Sequence, residues 1–65
     1  MGATYDRELR QLLLDSGCYL IRQGKGSHER WYSPITKSNF TVPVNIVNRH
    51  TANGVLKQAG LPKAF

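Results

Sequence analysis

Apolar residues fall into two stripes of helical period, with three short runs of β-formers between them. Leu9, Leu12 and Leu13 lie at i, i+3 and i+4, and Ala52, Val55, Leu56 and Ala59 at i, i+3, i+4 and i+7, so each set lines one face of a helix turned to a core. Thr4 opens the first helix in this reading, its hydroxyl accepting from unpaired first-turn amides while Asp6 and Glu8 complement the dipole. Gly17 after Ser16 supplies a left-handed stop, and Gly60 followed by Pro62 closes the second helix. Gly54 inside that helix costs about 1 kcal/mol against alanine and weakens its first turn. Met1 to Ala3 read as a frayed end.

The β-forming runs cover 18–23, 27–33 and 39–42, with turns at Gly24 to Gly26 and after Pro34. Such short connections make an antiparallel meander, since parallel pairs need long crossovers. The expected fold is α+β in the order αβββα, with residues 1–65 as one domain. Its simplest packing lays both helices on one face of a three-stranded sheet and leaves the other face to solvent. Period-two alternation sets Cys18 and Leu20 against Tyr19 and Ile21, and His28, Arg30 and Tyr32 against Ser27, Glu29, Trp31 and Ser33. With Trp31 in the core, His28 and Arg30 point outward together; a slip of one residue reverses this.

Size and charge narrow the chemistry. A chain of 65 residues has a thin core, too thin for a deep cofactor cavity, so polymeric substrates on an open face are favoured over small metabolites. No cofactor or metal is expected. Net charge is +5, and the excess is concentrated beyond Ser16, where seven cations face the single acid Glu29. A field of that sign attracts polyanions such as RNA, DNA or an anionic membrane, although many small proteins are this basic for solubility alone. Cys18, the single cysteine, allows no intrachain disulfide and no paired-cysteine zinc pattern, and suits a reducing compartment. No apolar run has the length of a membrane span or the form of a signal peptide, so a cytoplasmic location is expected.

The reactive groups gather in Gly24-Lys25-Gly26-Ser27-His28. Two glycines allow close backbone approach to a ligand, Lys25 adds a cation, and free amides suit a phosphate oxygen. The spacing is not that of a P-loop, and a plain hairpin turn with a solubilising lysine is the competing reading. His28 follows the turn, and an imidazole exchanges protons near neutral pH. RNA suits such a residue because its 2′-hydroxyl is an internal nucleophile, leaving proton transfer and charge stabilisation to the protein. On the residues alone, an isolated histidine is more often a surface group. His50, the only other imidazole, becomes a complementary acid or base if the chain after Pro43 folds back, although a cap or surface role is commoner. Ser27 and His28 point to opposite faces of a strand and make no nucleophile-base pair. Asp6, Glu8 and Asp15 read as a solvated helix face. Trp31 reads as core; Tyr19 and Tyr32 suit either packing or base stacking.

Arg7-Glu8-Leu9 with Leu12 and Leu13, then Gly17, Leu20 and Arg22, then Gly26-Ser27-His28 with Trp31, then Thr41-Val42-Pro43, then Leu56-Lys57-Gln58-Ala59-Gly60-Leu61 together resemble the HicA toxin family. Gly-Ser-His alone is a weak tripeptide; its place between these flanking segments makes the combination specific. The resemblance implies a double-stranded-RNA-binding-domain-like αβββα fold. It also implies an endoribonuclease toxin that cleaves mRNA and arrests translation until a HicB-type antitoxin neutralises it. The family's catalytic histidine falls on His28, presented by Gly26 and Ser27, and Lys25, Gly26, Ser27, Arg30 and Arg22 are the candidate RNA contacts. The chain departs from the family at Glu29, where many members carry a second histidine, and across 45–53, where members often have more lysines and this chain has only Arg49. Two other functions compete: a non-catalytic RNA binder of the same fold, and a basic protein-interaction module. The first normally carries several lysines at the start of its second helix, which this chain lacks.

Overall fold

The structure, a computed structural model, describes residues 4–24, 26 and 28–65. Helix α1 spans Asp6–Asp15 and helix α2 Arg49–Gln58, with strands β1 Tyr19–Gln23, β2 His28–Ser33 and β3 Ser38–Pro43 between them. The αβββα order is the one the sequence predicts. The expected fraying of Met1 to Ala3 and the placing of Ser27 in the second strand lie outside the described residues.

Helix α1 buries Leu9 and Leu13 completely, as their spacing requires. Its start differs from expectation. Tyr5, not Thr4, is the N-cap, and no side chain caps the helix there. The loop between β3 and α2 ties down the first turn instead: the Tyr5 amide donates to the Ile46 carbonyl at 2.8 Å. The Asp6 carboxylate accepts from the Asn45 and Ile46 amides at 2.8 and 2.7 Å. Asp6 is therefore a tertiary fastener rather than part of a solvated face. At the other end Gly17 takes φ +90°, and the Cys18 amide returns to the Leu13 carbonyl at 2.9 Å, which turns the chain directly into β1.

The sheet is antiparallel in the order β1-β2-β3. Trp31 pairs with Phe40 and Glu29 with Val42 on the face that both helices cover. Trp31, Phe40 and Val42 are at most 4% exposed and join Leu9, Leu13, Ile46, Val55 and Leu56 in one core. Each such side chain contributes roughly 1.5–3 kcal/mol by leaving water. Because Trp31 is buried, its strand neighbours His28 and Arg30 face outward, as alternation predicts.

Strand β1 breaks that alternation. Tyr19 pairs with Tyr32 and Leu20 with Trp31, but Arg22, not Ile21, is next to pair, opposite Arg30. Ile21 is the extra residue of a β-bulge, and everything after it changes face. Strict alternation puts Arg22 on the side of Leu20; the bulge puts it with Tyr19 on the open side.

Helix α2 starts three residues before the apolar stripe, because the Asn48 side chain caps it by accepting from the His50 amide at 2.7 Å. Ala52, Val55, Leu56 and Ala59 are buried. The fully buried Ser33 hydroxyl donates to the Ala59 carbonyl at 2.7 Å and joins the end of β2 to the end of α2.

Candidate nucleic-acid interface

The face of the sheet turned away from the helices carries Tyr19 and Arg22 from β1, His28, Arg30 and Tyr32 from β2, and Asn39, Thr41 and Pro43 from β3. Of the sequence-predicted site residues, the fold brings His28, Arg22 and Arg30 onto this one face, with Gly26 in the hairpin beside them. Lys25 and Ser27 lie outside the described residues. His28 is exposed at the start of β2, across from Pro43.

The hairpin that leads into His28 depends on its glycines. The Gly24 amide donates to the His28 carbonyl at 2.8 Å and closes the turn. A Cβ on Gly24 would sit 2.9 Å from that same carbonyl oxygen, closer than real side chains come. Gly26 has φ +63° with open space around it, so its requirement is backbone conformation alone. The backbone of His28 is thus tied to Gly24 at the start of the loop and paired with Pro43 of β3, while its side chain is left to solvent.

The charges on this face are of one sign. Arg22 stands directly opposite Arg30 across β1 and β2, an arrangement that costs stability unless an anion relieves it. None of the strand residues on this face is acidic. Arg30 donates from Nη1 to the Thr41 hydroxyl at 3.0 Å, which fixes the guanidinium along the sheet. The one acid of the three strands, Glu29, faces inward. Its Oε1 accepts from Arg10 Nε and Nη2 and from the Trp31 indole, so Glu29 is a packed structural group. The Tyr19 and Tyr32 rings lie side by side on the face, centroids 5.4 Å apart and tilted by 36°.

His50 lies exposed in the first turn of α2. Sequence reasoning missed Thr41 as the partner of Arg30 and the bulge that delivers Arg22; neither leaves a local signature. Concave surface occurs on the helix side, where Leu12, Ser16, Leu56, Leu61 and Pro62 line a shallow groove beside the C-terminal segment. None of these residues is on the face of His28. Among the described residues no three His, Cys, Asp or Glu side chains gather as a metal site, and no helix is long and apolar enough to cross a membrane.

Fold and face together define a small α+β protein that presents a basic, aromatic sheet surface. The sequence model of the family described as HicA toxin of bacterial toxin-antitoxin matches residues 7–61, and the chain belongs to that family of toxins from toxin-antitoxin systems. No curated protein and no solved structure gives a significant match.

Proposed function

We propose that this toxin is a metal-independent endoribonuclease that cleaves mRNA on the open sheet face, with His28 transferring the proton, and that a HicB-type antitoxin restrains it. The observation that carries the reading is the position of His28. It is an exposed imidazole anchored by a glycine hairpin, on the same acid-free face as Arg22 and Arg30.

In this mechanism the ribose 2′-hydroxyl attacks the adjacent phosphorus and the 5′-oxygen of the next nucleotide leaves, giving a 2′,3′-cyclic phosphate and a 5′-hydroxyl. One proton leaves the 2′-oxygen and one arrives at the departing oxygen. His28 acts at one of these two atoms and solvent serves the other. Arg22 and Arg30 hold the phosphate and offset the charge that builds on its oxygens. The cost of their mutual repulsion is relieved when the anion binds.

Incubation of the wild-type protein and His28→Ala with mixed-sequence single-stranded RNA in excess EDTA tests this directly. The expected result is cleavage by wild type alone, with cyclic phosphate or phosphate at the 3′ ends. Because His28 is exposed, the variant keeps the wild-type circular dichroism spectrum and affinity for RNA. Cleavage by a folded His28→Ala protein removes His28 from the mechanism, and cleavage that EDTA abolishes removes the metal-independent route.

A further inference from the structure

We infer that Tyr19 and Tyr32 form a stacking platform that selects single-stranded RNA, holding unpaired bases a few nucleotides from the bond cut at His28. The inference deepens the ribonuclease reading and rests on it for the nature of the ligand.

Three observations carry it. Tyr19 remains 53% exposed although it touches Tyr32, so the pair leaves ring surface for a third partner. The core takes its aromatics, Trp31 and Phe40, from the opposite face, and packing gives these tyrosines no role there. The Ile21 bulge then moves Arg22 onto the tyrosine face, opposite Arg30. Rings flanked by cations are what a flexible single strand needs, because stacking accepts any base and the arginines follow the backbone.

The spacing fits one continuous strand. Tyr32 is four residues from His28 on the same face of β2, about 13 Å along the strand, which corresponds to about four stacked nucleotides. A regular duplex keeps its bases stacked inside and offers this flat face none of them.

The test uses a short RNA of mixed sequence carrying 2′-O-methyl groups, which removes the nucleophile so that binding is read without cleavage. Tyr19→Leu and Tyr32→Leu are each expected to weaken binding of the single strand by about tenfold, while Tyr19→Phe and Tyr32→Phe stay near wild type. In the wild-type protein the ring protons of Tyr19 and Tyr32 are expected to move upfield as the oligonucleotide is added, a readout independent of how the variants fold. Leucine variants that bind like wild type, or rings that do not shift while the strand binds, overturn the platform. Equal loss of affinity for the annealed duplex overturns it too, as does unchanged RNA binding with lost binding of an antitoxin. Tyrosine-dependent binding without cleavage of ordinary RNA supports the platform and sinks the ribonuclease instead.

Discussion

Arg10 and Glu29, nineteen positions apart, meet through a single carboxylate oxygen that accepts from Nε at 3.1 Å and from Nη2 at 2.9 Å. The Trp31 indole donates to the same oxygen at 3.0 Å, and Arg10 also reaches back to Asp6. One line of polar contacts therefore runs from the β3–α2 loop through α1 to the strand that carries His28. With side chains 13% and 21% exposed, the Glu29–Arg10 pair is shielded enough to matter.

Removing one partner of that pair strands the other. Glu29→Ala is expected to destabilise the protein by about 2 kcal/mol, and Arg10→Ala by about 1 kcal/mol, both below the cost of a fully buried pair because water still screens this one. Urea unfolding of the two single variants and the double variant gives the coupling, expected at about 1 kcal/mol. Simple additivity would show that the contact contributes nothing to stability.

The hairpin glycines should separate two kinds of damage. Gly26→Ala forces a residue with a side chain into the left-handed region, a cost of about 1–2 kcal/mol, with the hairpin path kept. Gly24→Ala pushes against the His28 carbonyl itself, so cleavage should fall further for the same loss of stability. Comparing rates on the same RNA with thermal midpoints checks the difference.

Ser33 is a purely structural joint. Besides donating to Ala59, its hydroxyl oxygen accepts from the Ile35 and Thr36 amides at 3.2 and 3.4 Å. Ser33→Ala should cost about 2 kcal/mol by leaving these groups without their partner, lowering the melting temperature by about 10 °C in a domain of this size. Activity well below that temperature should be unchanged.

Salt dependence reports on the cations. If Arg22 contacts an RNA phosphate, Arg22→Gln weakens binding across sequences and makes the slope of log affinity against log salt shallower by about 0.7, the value for one contact on a single strand. A titration series in sodium chloride reads it, and an unchanged slope would place Arg22 off the RNA path.

The sequence by itself determined the element order and the inward faces, because burial requires apolar residues at the helix and strand periods: Leu9 and Leu13, Trp31, and Val55 with Leu56 all sit where periodicity puts them. Through Trp31 it also determined that His28 and Arg30 look outward. Only the tertiary structure decided what joins them. Arg22 reaches their face through a bulge at Ile21 that leaves no fixed residue signature, and Asp6 and Glu29 became fasteners because their partners lie thirty-nine or more and nineteen residues away. Periodicity is a local property that each segment carries alone, whereas strand register and ion pairing depend on which distant segment arrives alongside.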